Sequence, residues 1–285
     1  MRGLAAFGFV CLVLAGCAAP APERVALAGR PEVVPCMDPT RGTVSRVPAD
    51  ACPGGPLSAA EAEGIEARRA QVARAIVAAP RSAGPGRLAG VGSGFAVGPG
   101  GEVMTNHHVI DGCAALTVFA PGRGRHVALA LASDAEADLA VLRAGTRAET
   151  WARFSAAPGR ARSLHGAVVG FPAIGAPTVL ATLTAVHAGD PTQAPVFPLG
   201  GPIRHGHSGS PVLDQSGLVI GVVRGRIDRA DGGSDVGIAV APAAAMDLLA
   251  RAGVKADRAE PGDPAGDDVL LAEARRWTWR VECWR

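Results

Sequence analysis

Between residues 88 and 241 the apolar side chains arrive in short runs, and the length of those runs limits what the chain can fold into. Gly90–Val97, Glu102–Val109, Ala115–Phe119, Val127–Ala132 and Leu139–Leu142 follow one another, punctuated at short intervals by Gly, Pro and Asp. After a polar break at 155–163 (SAAPGRARS) the texture resumes at Ala167–Phe171, Val179–Ala188, Pro211–Leu213, Leu218–Val223 and Val236–Ala241. Such runs are too short to hold a helical period over several turns, and no helical pattern alternates with them. The texture is that of an all-β sandwich or barrel, and the break divides it into two β-halves.

A chain of 285 residues with 48% hydrophobic residues can bury a full core, as one large domain or two small ones. Its formal charge of +2 is too small to point to nucleic acid. Ser58-Ala59-Ala60-Glu61 is a capping-box pattern, and behind it Ala62, Ile65, Val72, Ala73 and Ile76 fall on one stripe. Together they predict one amphipathic N-terminal helix over about 58–78, packed on the outside of the domain. A C-terminal helix is expected at Pro242–Ala250, followed by a Pro/Gly/Asp linker at 258–267. Leu270–Arg285 reads as a short helix and then a strand, with Trp277, Trp279, Val281 and Cys283 on one face.

The first residues carry a different signal. Met1-Arg2 precedes an apolar run at 4–15, of signal-peptide length and too short for a membrane span, and no other stretch is long and apolar enough. The run ends in Leu14-Ala15-Gly16-Cys17, which resembles the bacterial lipobox. That resemblance implies cleavage after residue 16 and acylation of Cys17 on both its thiol and its new amino group. Each buried methylene is worth about 0.8 kcal/mol and stable anchoring takes more than one chain, which a triacylated cysteine supplies. It also implies a bacterial cell-envelope location, and Ala18 in place of an aspartate points to the outer membrane facing the periplasm. An ordinary secretory signal cut near Ala19 is the alternative. The expected organisation is a signal peptide at 1–16, a lipid-anchored tether with its helix at 17–86, a main domain at 87–253 and a linker and tail at 254–285. Within the second of these, 18–56 is rich in Pro, Ala and Gly and reads as a flexible, coreless tether.

With Cys17 taken by lipid, Cys36, Cys52, Cys113 and Cys283 remain, an even number suited to an oxidising compartment, and they allow three pairings. Only 15 residues separate Cys36 from Cys52. Closing a loop of that size contributes about 3 kcal/mol in the chain-entropy model. The expected pairs are therefore Cys36–Cys52 and Cys113–Cys283, the second pinning the tail to the outside of the first β-half. No Cys-x-x-Cys spacing suggests structural zinc.

The chemistry starts at "GPIRHGHSGSPVLDQSGLVIGVV", residues 201–223, where Ser208 sits between small residues on a tight turn. A serine hydroxyl becomes a nucleophile only beside a base and an oxyanion stabiliser. Candidate bases stand in Thr105-Asn106-His107-His108-Val109-Ile110, and a candidate carboxylate is Asp138, where a polar loop enters the run Leu139–Leu142. "GSGFAV…TNHHVI", "DLAVL" and "GHSGSPV", in that order over about 87–253, resemble the trypsin-like (chymotrypsin-fold) serine proteases. The bacterial Deg/HtrA type is most similar, here without a PDZ domain, and the glutamyl-endopeptidase type is related. The resemblance implies two antiparallel β-barrels, His and Asp from the first, Ser from the second, and no cofactor. It makes Ser208 the nucleophile, His108 rather than His107 the base, Asp138 its orienter, and the N–H groups of Gly206 and Ser208 the oxyanion hole. The substrate it implies is a protein or peptide.

Two departures bear on the site. His207 stands where the family usually has Asn or Asp. With His205 it forms His-x-His, read here as a surface-facing pair rather than a metal site, for want of a third ligand. Pro202 occupies the place of a trypsin-like pocket acid, and Val223, Arg224 and Gly225 are expected along one pocket wall. A small or medium apolar substrate side chain is then the default. A catalytically silent relative that binds a peptide or partner is the alternative function, and a zinc-binding envelope protein a third.

Overall fold

A computed structural model describes residues 32–37, 44–52, 55–78, 86–159, 164–172, 180–227 and 236–285, without the side chains of Arg69 and residues 71–78. Residues 1–31, where a signal peptide, the lipid-bearing Cys17 and the start of a tether are expected, lie outside the described residues. Residues 33–285 form one compact unit.

In chain order the elements are β1 (Val33–Met37), β2 (Val44–Pro48), α1 (Ala59–Ala78), β3 (Leu88–Gly98), β4 (Glu102–Thr105), α2 (His107–Ile110), β5 (Ala115–Ala120), β6 (Gly124–Asp134) and β7 (Leu139–Ala144). They continue with β8 (Phe154–Ser155), β9 (Leu164–Gly170), β10 (Thr182–Ala188), β11 (Val196–Gly200), β12 (Pro211–Leu213), β13 (Val219–Ile227) and β14 (Val236–Val240). The chain closes with α3 (Pro242–Arg251), β15 (Arg258–Ala259), α4 (Asp267–Trp277) and β16 (Thr278–Trp284). Two antiparallel barrels result, as the resemblance implied. The first closes in the order β16-β3-β4-β7-β6-β5; the second runs β12-β9-β10-β11-β14-β13 and closes through a β12–β13 pairing. One core cluster runs across both, joining Phe95, Val103 and Leu142 of the first to Leu213, Val222 and Val240 of the second.

The tail is where the sequence reading is overturned. It was expected on the outside of the first barrel; instead β16 is one of its staves, paired with β3 on one side and β5 on the other. The alternation explains why. Trp277, Trp279 and Val281 enter the barrel core at 3% exposure or less. The opposite face is also satisfied: Glu282 accepts from Arg125 (2.7 Å), Thr117 (2.7 Å) and Arg280 (2.6 Å). Burial alone would raise the Glu282 carboxyl, but those bonds outweigh it and hold it below the usual carboxylate range.

Other expectations shift by smaller amounts. Ser58 and Glu61 form the reciprocal cap, Ser58 N–H donating to the Glu61 carboxylate (2.8 Å) and Glu61 N–H to Ser58 Oγ (3.2 Å). Ala62 and Ile65 are the buried part of the α1 stripe; its later members lie outside the described side chains. The coreless tether contains the β1–β2 hairpin, and Cys36 is bonded to Cys52 beside it. Cys113 is bonded to Cys283. The strand expected to reach Val109 stops at Thr105, because the chain turns into α2. β11 was not anticipated, since Pro198 interrupts its pattern. It is tolerated because the Pro198 carbonyl, and so its nitrogen, faces the side where β10 pairs with only the last two residues of β11. Among the described residues no helix is long and apolar enough to cross a membrane.

Candidate active site

Asp138 is the one non-glycine among the described residues with positive φ, at 55°. A left-handed residue costs about 1–3 kcal/mol unless its surroundings hold it, and Asp is among the residues that tolerate the region best. Asn106, fully buried, holds it here: its Nδ2 donates to the Asp138 carbonyl at 2.7 Å. The carboxylate then meets α2 end-on. Oδ1 accepts the His108 backbone N–H at 3.0 Å, and Oδ2 lies 2.8 Å from the ring Nδ1. Burial pushes Asp138 up, but the His108 bonds and the charges of His108 and Arg224 prevail and hold it below the usual carboxylate range. Asp138 therefore stays ionised and His108 Nδ1 carries the proton between them.

The second barrel brings Ser208 to the same place. His108 and Ser208 line one cleft of about 260 Å³, together with Gly206 and His205. The cleft's far wall comes from the tail, through Cys283 and Arg285. Ser208 Oγ donates to the Arg224 carbonyl at 3.4 Å, and no His108–Ser208 hydrogen bond is present among the described residues. The turn is locked to β3 by Ser93, whose N–H donates to the Ser208 carbonyl (2.8 Å) and whose Oγ donates to the Gly206 carbonyl (2.7 Å). Gly209 has φ +83°, and a Cβ there would lie 2.1 Å from the Ser93 oxygen, so only glycine lets the barrels approach this closely. With both carbonyls drawn toward β3, the N–H groups of Gly206 and Ser208 have no partner among the described residues.

Residues 92–222, which contain His108, Asp138 and Ser208, match the family described as trypsin-like peptidase domain. The chain carries a trypsin-like peptidase domain. An uncharacterized protein of Sinorhizobium fredii, y4bJ, is 34% identical over 154 residues, covering 52% of this chain and 24% of that one. This chain thus spans about a quarter of the length of that curated relative. Among solved structures, the active form of the Rv3671c protease from M. tuberculosis aligns with TM-score 0.49 at 27% identity, covering 70% of this chain and 89% of that one. The HtrA-type protease AlgW with a decapeptide aligns with TM-score 0.48 at 23% identity, covering 56% and 51%.

Within the peptidase domain, His207 departs from the expected surface pair. It is 1% exposed, while His205 is exposed. Its ring turns under the turn into the second barrel, where Nδ1 accepts the Arg204 backbone N–H (3.1 Å) and Nε2 lies 3.5 Å from Thr184 Oγ1. Nδ1 as acceptor places the proton on Nε2. A buried imidazole resists charging, and burial with the nearby Arg204 charge pulls His207 down from 6.5 to about 4. The unfolded chain therefore binds the extra proton first. Stability is complete above the unfolded value and drains as pH falls from about 6.5 towards 4, by about 3 kcal/mol in all. His207→Asn should remove that slope, read from urea midpoints between pH 7 and 4.5. Asp138, with its lowered value, contributes a separate loss only at still lower pH.

The expected pocket wall also changes. Val223 is fully buried in the second barrel's core cluster with Val168 and Ile220, so it lines no pocket. The Arg224 side chain is engaged by Asp138, its Nε 3.5 Å from Asp138 Oδ2. Pro202 is exposed, and a Cβ on Gly225 would meet nothing within 4 Å, so that residue borders open space. Ile203 packs against Gly237, where an added Cβ would come within 2.5 Å of it. Ser93, Asn106 and Arg224 are the residues whose parts the sequence reading missed. A lone polar residue inside a buried run was the available sign for Ser93; nothing local marks the other two.

Proposed function

We propose that this protein is a serine endopeptidase of the bacterial cell envelope, held at the membrane by a lipid on Cys17. The observation that carries the catalytic part is the His108 Nδ1–Asp138 Oδ2 contact of 2.8 Å, with Ser208 on the same cleft. In this reading Ser208 Oγ attacks the scissile carbonyl and its proton passes to His108 Nε2. Asp138 holds the ring by Nδ1–H and stabilises the imidazolium. The Gly206 and Ser208 N–H groups receive the oxyanion. The imidazolium then protonates the departing amine, and water releases the acyl group by the same route in reverse. Arg224's engagement with Asp138, and Ile203 against Gly237, favour a small or medium apolar residue on the acyl side of the bond.

Fluorophosphonate labelling tests the reaction, since the reagent reacts only with an activated serine. Folded wild-type protein should be labelled at Ser208. A folded but unlabelled protein would instead favour a silent peptide-binding relative, the reading that Ser208's bond to the Arg224 carbonyl supports. Anchoring has its own test. Cys17→Ser should move the protein from the detergent phase to the aqueous phase and abolish palmitate incorporation, because a serine cannot carry the thioether lipid.

A further inference from the structure

The fold brings together two histidines that lie far apart in sequence. His165 on β9 and His187 on β10 are direct cross-strand partners, both exposed on the outer surface of the second barrel. Their ring centroids are 4.5 Å apart at an interplanar angle of 76°. Neither ring is held by a hydrogen bond among the described residues, so both can turn about their side-chain torsions. A tetrahedral metal ion bound by two imidazoles at roughly 2.0–2.1 Å needs their nitrogens about 3.3 Å apart. The two rings are thus already in contact from paired strand positions. The pair also lines a cavity of about 680 Å³, whose polar rim includes Gln215 and Asp267.

We propose that His165 and His187 form a binding site for a borderline divalent transition ion such as Zn²⁺. Imidazole nitrogen selects Zn²⁺, Cu²⁺ or Ni²⁺ over Mg²⁺ and Ca²⁺, which take oxygen ligands. Among the described residues no cluster of three or more His, Cys, Asp or Glu is placed to hold a metal, so His165 and His187 are the two ligands the described residues supply. Water or a molecule entering the cavity supplies the rest. Gln215 and Asp267 line the same cavity with side-chain oxygens able to accept hydrogen bonds from metal-bound water. The site is independent of Ser208 chemistry, and of the His205/His207 pair, which burial of His207 separates.

Equilibrium dialysis of the full chain against zinc alone tests it. Wild type and His205→Ala should bind one zinc per chain with the same affinity. His165→Ala and His187→Ala should each weaken binding on the order of tenfold or more. Diethylpyrocarbonate footprinting reads the same site without a variant: zinc should protect both histidines in the wild type. No zinc binding by wild type, unchanged affinity in either alanine variant, or unprotected His165 and His187 would overturn the proposal.

Discussion

Ser208→Ala is expected to lower kcat for peptide-bond hydrolysis on the order of 10⁴-fold or more, with the urea unfolding midpoint unchanged. His108→Ala should do the same, because the hydroxyl loses its proton acceptor. Asp138→Asn is the more informative change. Asparagine tolerates the left-handed backbone at φ 55° as well as aspartate does, so the Asn106 bond to the carbonyl and the fold survive. Its amide, however, cannot stabilise an imidazolium, and it disturbs the ring's tautomer. Groups that act as a unit do not add, so pairing His108→Ala with Ser208→Ala should cost little beyond the serine change alone. His107→Ala should retain most activity, since it is the His108 ring that meets Asp138. Steady-state kinetics on a peptide substrate decides the set. Full activity in Ser208→Ala removes the protease reading, and an inactive His107 variant beside an active His108 variant reverses the assignment of the base.

Removing residues 278–285 is expected to abolish cooperative folding. Without β16 the first barrel loses a stave from between β3 and β5, exposing two unpaired edges and the core under Trp279 and Val281. The milder Trp279→Ala should cost about 3–5 kcal/mol, since a buried aromatic is replaced by a cavity. That is a large part of the roughly 5–15 kcal/mol that a native domain holds. Far-UV circular dichroism and urea titration give both results. A truncated chain that melts like wild type would show the tail to be dispensable. The same deletion removes Cys283 and Arg285 from the cleft wall, so any folded fraction should also show altered substrate binding.

The candidate site was legible to the extent that its chemistry is written in local segments. His108, Asp138 and Ser208 each stand in a short pattern beside an apolar run, and their order along the chain supplied the resemblance. The burial of Val223 and the Arg224 contact with Asp138 were not legible because their neighbours come from elsewhere. The Arg224 side chain is directed by Asp138, 86 positions earlier in the chain, and Val223 by the second barrel's packing. His205-Gly206-His207 was misread for a related reason. Two positions apart on an extended chain implies a shared face, but a turn with Gly206 at φ 89° puts the rings in different environments.

The sequence by itself determined what depends on neighbours in the chain. Run length and punctuation made the protein all-β, the Ser58–Glu61 spacing capped α1, and period-two alternation at 277–283 made the tail a strand. Only the tertiary structure decided where that strand goes. Alternation fixes which side chains share a face, but it carries no information about which edges are free to pair, and β3 and β5 offered the first barrel's unclosed gap. The same limit applies to Ser93 and Gly206, 113 residues apart, and to His165 and His187, 22 apart. Contacts across a barrel are set by how strands close on one another, a long-range choice made by burying Phe95, Trp279 and Leu213 together rather than by any local preference.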